Sequence, residues 1–309
     1  MRRFQRLLLW LLILLPASAR ADLQSWSYLV EKLTGDGIDR ERVVAVFADP
    51  RVDPFTGLEF NPERPRERHS IYSGFRTPKR VAAARRCRAA HAASFESAAR
   101  RYGVSADVIA SILFVESGCG RNSGSSVIVH RLARLAMANE PENLQRNFDR
   151  FSDDEGRLKP ELERQLRERA RYLEQTFYPE VRAVFEVAER MGVDPLEIRG
   201  SISGAFGFPQ FLPTSYLRFG VDANDDGQVS LYDLDDAAAS CGRYLAAHGW
   251  HAGATRQEKR AAIWSYNHSE AYIDSVLGLA TQLGRPAGPA KQVVKVKNRP
   301  RRDARRPQG

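Results

Sequence analysis

The sequence predicts a nearly all-helical protein. Three observations lead there. Period-2 alternation of apolar and polar residues is scarce from end to end. Apolar residues instead recur at helical spacing, as in Ile109, Ile112 and Leu113, with Glu116 next on the same face. Long stretches such as 79–102 are rich in Ala and Arg and contain neither Gly nor Pro, a composition that favours helix.

The elements follow in order. Residues 1–21 hold arginines at positions 2, 3 and 6, an apolar run from Leu7 to Leu15, and Ala19-Arg20-Ala21 before Asp22. That order describes a cleaved secretory signal peptide, because the run is shorter than the roughly 20 residues a spanning helix needs. An uncleaved anchor is the alternative; no cysteine stands there to carry a lipid. Residues 22–34 predict a helix burying Leu23, Trp26, Leu29, Val30 and Leu33, and 38–48 predict a second. From Asp49 to Thr77 prolines and charges predict an extended segment lying on the surface. One long helix is expected over 79–102, ended by Gly103. Ser105 is the expected N-cap of the helix carrying Glu116. Residues 126–192 read as mostly helical, Gly200–Gly207 as a glycine-rich loop, and 222–233 as an acidic loop. Helices over 235–248, 256–266 and 270–283 complete the core. No internal repeat is evident.

The formal charge is +9. Four arginines lie in the leader, and nine basic residues against one Asp lie in 285–309, so 22–284 carries a net −3. The basic character therefore belongs to the tail, which is poor in apolar residues and expected to be disordered. A nucleic-acid-binding fold is not implied. An apolar content of 43% supplies a real core. Cys87, Cys119 and Cys241 allow one disulfide and one free thiol, or three thiols; their spacing matches no metal site.

Four groups of residues carry chemistry. Glu116 ends an apolar stripe, where partial burial raises a carboxyl pKa toward the range useful to a general acid. The stripe alone equally allows a helix-end Glu that bends out to water. Ser117, Gly118, Cys119 and Gly120 follow it and leave room for a substrate. The second group runs from Ser201 to Ser215. Its glycines permit close backbone approach, Phe206, Phe208 and Phe211 offer apolar faces, and Gln210 offers a donor and an acceptor. That mixture suits sugars. The third group fits the twelve-position calcium-loop template, with Asp222, Asn224, Asp226, Ser230 and Asp233 as oxygen donors, Gly227 at the sharp turn and the backbone carbonyl of Gln228. Position 12 is Asp rather than Glu. A structural ion is expected there, not a sensor. The fourth group is Trp264–Glu270 with Tyr272, in which Tyr266 and Asn267 combine a stacking face with an amide. His268 has no ligand spacing and is taken as structural.

Together these groups resemble the B-type family of lytic murein transglycosylases over about 70–284. Val115-Glu116-Ser117 matches the family's catalytic motif. Gly204-Ala205-Phe206-Gly207 with Gln210-Phe211-Leu212-Pro213 matches its Gly-Ala-Met-Gly and Gln-Phe-Met-Pro stretch. Tyr266-Asn267 matches its Tyr-Asn motif. The resemblance implies a mainly α fold: a lysozyme-like helical core, an additional helical subdomain, an EF-hand-like calcium loop and little or no β-sheet. It implies Glu116 as the single acid/base. Substrate contacts are implied for Ser201, Gln210, Phe211, Tyr266, Asn267, Tyr272 and Tyr72, and Ca²⁺ for Asp222, Asn224, Asp226, Gln228 and Asp233, with no organic cofactor. Phe206 and Pro209 depart from the family pattern and narrow the expected cleft floor, and a strand-rich insertion before Tyr266 is largely absent.

The implied reaction cleaves the bond between N-acetylmuramic acid and N-acetylglucosamine and leaves a 1,6-anhydro end. Hydrolysis by a lysozyme-like muramidase, or binding of peptidoglycan without catalysis, are the competing readings. Peptidoglycan glycan strands are the expected partner, the periplasm the expected location, and a monomer the expected state. The basic tail is either a contact to anionic wall or membrane surfaces or simply solvated. A Cys119–Cys241 disulfide is expected because both residues fall on core elements of the family fold.

Overall fold

The computed structural model describes residues 23–64, 72 and 74–285. The leader 1–21 and the tail beyond Arg285 lie outside the described residues. Helices dominate. They are α1 (Ser27–Gly35), α2 (Arg40–Phe47), α3 (Pro78–Ala90), α4 (Ala92–Tyr102), α5 (Ala106–Ser117), α6 (Ile128–Ala136), α7 (Pro141–Phe151) and α8 (Pro160–Met191). After a glycine-rich loop come α9 (Pro213–Phe219), α10 (Leu234–Ala247), α11 (Arg256–Tyr266) and α12 (Glu270–Leu283). Among the described residues the single sheet pairs β1 (Ser126–Val127) with β2 (Arg199–Gly200), antiparallel, with Ser126 opposite Gly200. No helix among the described residues is long and apolar enough to cross a membrane.

The apolar residues collect into two large clusters and two small ones. The first joins α1, α2, α6 and the second half of α8. Trp26 is fully buried there, its ring 5.2 Å from Phe47 and 5.4 Å from Phe55. Its indole N–H donates to the Asp53 carbonyl, so the polar handle is satisfied too. Truncation of such a residue costs about 3–5 kcal/mol. The second cluster joins α4, α5, α10, α11 and α12 around Phe95, Ile109, Ile112 and Ile263. A third packs Phe60 and α7 on the first half of α8. Pro179 lies inside α8, where the helix passes from the third cluster to the first.

The extended segment after Asp49 is held by side chains rather than by a strand. Asn143 accepts from the Leu58 amide, and Asn147 accepts from the Phe60 amide while donating to the Leu58 carbonyl. Both Asn side chains are buried on α7, one turn apart, so they act as a two-rung clamp.

The sequence predicts one helix over 79–102, but the backbone breaks at His91 (φ −121°, ψ 36°). Neither Gly nor Pro marks the break. Its cause is tertiary: α3 buries Val81 and Ala84 against Phe114 and Leu279, whereas α4 buries Phe95 and Ala98 in the second large cluster. Two directions of burial cannot be served by one straight rod. Ser105 occupies the N-cap of α5, with its carbonyl accepting from Val108 and Ile109, although its hydroxyl makes no capping bond.

Candidate active site

Helix α5 is apolar on nearly every face, and it delivers Glu116 one residue before its end. Gly118 (φ 62°) closes the helix in the left-handed conformation that glycine adopts without strain. Glu116 is half-buried, and desolvation pushes its pKa up to about 7. The Tyr272 hydroxyl donates to Oε1 at 2.5 Å and opposes that shift, because it stabilises the anion. No like charge among the described residues contributes to the shift. The acid is thus neither a solvated helix-end Glu nor one of a charged pair.

Tyr272 is placed by the corner between α11 and α12. The Ser269 amide donates to the Asn267 carbonyl, and the Ser269 hydroxyl accepts from the Tyr272 amide, capping α12. Tyr272 is buried, with its ring parallel to Tyr266 at 6.4 Å and edge-on to Tyr72 at 5.4 Å. The Asn267 amide donates to the Tyr72 hydroxyl at 3.3 Å. Tyr266 donates to the Pro209 carbonyl at 2.5 Å. Burial and the nearby Cys241 and Glu116 hold the Tyr266 hydroxyl firmly protonated. One chain of contacts therefore joins Glu116, Tyr272, Tyr266, Asn267 and Tyr72 to the loop before Gln210.

That loop is a tight construction. Ser201 receives the Ala205 amide on its hydroxyl and donates its own amide to the Ala205 carbonyl. Gly204 (φ 84°) sits where a Cβ would meet Leu132 at 2.3 Å. Phe206 bridges to both Gly200 and Phe211. Gln210 adopts φ 51°, a strained conformation for a non-glycine residue costing about 1–3 kcal/mol. Its Nε2 donates to the carbonyls of Ser123 and Gly207 at 3.0 and 2.8 Å. Gln210 thereby ties the loop to the segment that follows Glu116. Phe211 is 3% exposed and packs on Tyr244 and Tyr266, so it supports Tyr266 from within the core rather than offering a face to a ligand. Phe208 is the partly exposed aromatic of this loop, and its ring occupies the space that a Cβ on Gly120 would fill.

The cysteine expectation is overturned. Cys87 on α3 pairs with Cys119, with Cα atoms 6.5 Å apart, and Cys241 is free and buried. Cys119 stands just past the end of α5 at φ 59°, where the chain turns toward α3. Cys241 instead faces inward from α10 and shares a hydrogen bond with Tyr266; burial raises its thiol pKa strongly. Cys241 was missed as a neighbour of the acid because helical spacing shows that a position is buried, not which residues meet it there.

The acidic loop is folded around its own amides. Asp222 accepts from the Asp226 and Gly227 amides, and Asp226 accepts from the Gln228 amide. Gly227 takes φ 87° at the sharp turn. Asp233 Oδ1 caps α10 through the Asp235 and Asp236 amides. Asp236, fully buried, clasps the loop by accepting from Ala223 and Ser230. The oxygens of Asp222, Asn224 and Asp226 fit a hard cation. Among the described residues no three Asp, Glu, His or Cys side chains converge as a cage.

Comparison with known proteins follows the same outline. A family model described as the transglycosylase SLT domain matches residues 21–261. Membrane-bound lytic murein transglycosylase B of Escherichia coli is 33% identical over 152 residues. That match covers 49% of this chain and 34% of the E. coli protein. Among solved structures, soluble lytic transglycosylase SltB1 from Pseudomonas aeruginosa is similar with a TM-score of 0.63 and 23% identity, covering 84% of this chain and 98% of that one. E. coli lytic transglycosylase Slt35 in complex with calcium is similar with a TM-score of 0.62 and 21% identity, covering 84% and 92%. P. aeruginosa SltB3 in complex with NAG-NAM-pentapeptide is similar with a TM-score of 0.63 and 20% identity, covering 88% and 83%.

Proposed function

From the premise that the chain belongs to the transglycosylase SLT domain family, we propose that it cleaves peptidoglycan glycan strands as a lytic transglycosylase, with Glu116 as its one acid/base. The observation that carries the assignment is a half-buried carboxyl, its pKa raised to about 7 by burial, that no second carboxylate among the described residues perturbs. Glycosidases that hydrolyse usually employ a pair of carboxylates roughly 5–9.5 Å apart. A lone acid favours the substrate's own groups as the remaining reactants.

The reaction runs in two steps. Protonated Glu116 gives its proton to the oxygen between N-acetylmuramic acid and N-acetylglucosamine, and the C1–O bond breaks. The muramic acetamido oxygen stabilises C1, and Asn267 is the amide placed to orient it. The Glu116 carboxylate then takes the proton of the C6 hydroxyl as that oxygen bonds to C1. The products are a 1,6-anhydro end and a free sugar hydroxyl; water is not consumed, and Glu116 regains its proton. Tyr272 steers the acid through Oε1, and Gln210 and Ser201 line the sugar path. Tyr266 and Tyr72 supply ring faces at its edge, with Phe211 packed beneath Tyr266.

We assign Ca²⁺ to the loop of Asp222, Asn224, Asp226, Gln228 and Asp233. The ion would fix the loop that receives the Phe208 amide at the Leu231 carbonyl, and so brace the cleft floor. The calcium complex of Slt35 supports the choice of ion, and the sugar–peptide complex of SltB3 supports the choice of substrate. Action outside the cytoplasm, as a monomer, completes the reading, with the leader directing export.

Mass spectrometry of peptidoglycan fragments released by the purified chain tests the function. Fragments ending in anhydro-muramic acid, lighter by one water than hydrolytic products, are expected. Reducing ends would assign a muramidase, and an absence of fragments a binding protein.

A further inference from the structure

The first half of α8 is laced with ion pairs. Arg164 bonds Glu161 and Glu168, and Arg167 bonds Glu163. Arg169 breaks the pattern. One turn before it stand Gln165 and Leu166, and one turn after it Tyr172 and Leu173, so no acid lies within reach along the helix. Its Nε is buried and has no hydrogen-bond partner among the described residues. The second cation, Arg64, approaches from the extended segment. Its guanidinium lies 3.7 Å from the centre of the Tyr172 ring, and that of Arg169 lies 5.2 Å from the same centre. Arg64 and Arg169 repel each other, and neither has an ion-pair partner among the described residues. They flank a hollow of about 210 Å³ walled by Pro62, Gln165, Glu168 and Tyr172.

Two guanidiniums without ion-pair partners beside an open hollow are what an oxyanion fills. The surroundings narrow its identity. Gln165 Nε2 is engaged with Glu161, which leaves its Oε1 as the acceptor that this wall of the hollow offers. Glu168 on the rim disfavours a doubly charged phosphate more than a singly charged carboxylate. The Pro62 and Tyr172 surfaces suit a small apolar side chain. A carboxylate, an adjacent amide N–H and a small side chain together describe the last residue of a peptide. We propose that Arg64, Arg169, Tyr172 and Gln165 form a binding site for the C-terminal carboxylate of a peptide. Resting on the function assigned above, that peptide is a stem carried by the glycan strands. The site lies on the third apolar cluster, whereas Glu116 borders the second, so it anchors the wall polymer apart from the scissile bond.

The test titrates the full chain with a soluble tetrapeptide ending in D-alanine, with its C-terminal amide, and with inorganic phosphate, following amide resonances by NMR. The free acid is expected to bind about tenfold or more tighter than the amide, because a charge-assisted fork is lost with the carboxylate. That preference should disappear in Arg169→Gln and in Arg64→Gln, while melting temperatures stay within a few degrees of the parent. Equal binding of acid and amide, no binding at all, variants that bind like the parent, or phosphate binding in place of the peptide would each overturn the assignment. No glycosidic bond is present in these ligands, so failure here is distinct from failure to cleave peptidoglycan.

Discussion

The Tyr272 hydroxyl donates to Glu116 Oε1 at 2.5 Å, and the two residues come from helices distant in the chain but packed side by side. Tyr272 has two opposed effects on the acid. It lowers the pKa that burial raises, and it holds the carboxyl at one angle. Tyr272→Phe should therefore shift the alkaline limb of the rate profile upward while lowering the maximal rate by about tenfold, the worth of one charge-assisted bond. Turnover measured from pH 5 to 9 checks both effects. A downward shift of the limb would contradict the hydrogen bond's role.

Glu116→Gln should abolish release of anhydro-muramic fragments. Its stability effect depends on pH in a direction that can be worked out. The folded pKa, about 7, lies above the ordinary value of 4.5, so the folded state holds the proton more tightly than the unfolded chain. The folded state loses stability as pH rises from about 4.5 to about 7. The Gln variant has no such loss, so it should match the parent near pH 4 and exceed it by about 1–3 kcal/mol at pH 8. Denaturant melts at the two pH values decide the matter.

Thiol titration of unfolded, unreduced protein should find one reactive thiol, Cys241, and two more after reduction. Replacing Cys87 and Cys119 by serine should cost about 2–4 kcal/mol, since the bond closes a loop of 32 residues. Activity should fall further than stability near working temperature, because Cys119 lies three residues beyond the acid. Equilibrium unfolding beside initial rates separates the two effects.

Gly124→Ala should be strongly destabilising. Its φ is 89°, and an added Cβ would stand 2.1 Å from the Gly200 carbonyl oxygen, a backbone atom that cannot rotate away. A loss of about 2–4 kcal/mol is expected, together with weakened pairing of β1 and β2. Gly227→Ala is the control: its φ is 87°, but open space surrounds it, so only the conformational cost remains.

Chelation should lower the melting temperature by several degrees, and added calcium should restore it in proportion to the logarithm of its concentration. Asp222→Asn should weaken that dependence. A melting temperature indifferent to both chelator and calcium would leave the acidic loop as a turn closed by its own amides and by Asp236.

Helices were legible because their causes are local. Apolar spacing, prolines at first turns and glycines at ends survive in any context, and α5, α10, α11 and α12 lie where the spacing places them. The break at His91 was not legible, since it arises from where Phe95 and Val81 find partners, a property of the assembled fold. The burial of Glu116 is legible as a charge at the end of an apolar stripe, but its bond to Tyr272 requires two helices to meet. The cysteine pairing is illegible for the same reason: Cys119 lies half-buried just past α5 and turns toward α3, whereas Cys241 is sealed in the core. Arg169 left a faint trace, an arginine without an acid one turn away, visible only beside neighbours that all have one.

The unpaired thiol behind Tyr266 gives the order of residues in the chain a consequence for assembly. On the proposed route of export, N-terminus first, Cys87 and Cys119 reach the oxidising side before Cys241, so the native pair can form while the competing sulfur is still absent. Once α10 docks, that sulfur is sealed from exchange. A circular permutant that presents α10 first would lose this protection and should accumulate misbridged chains.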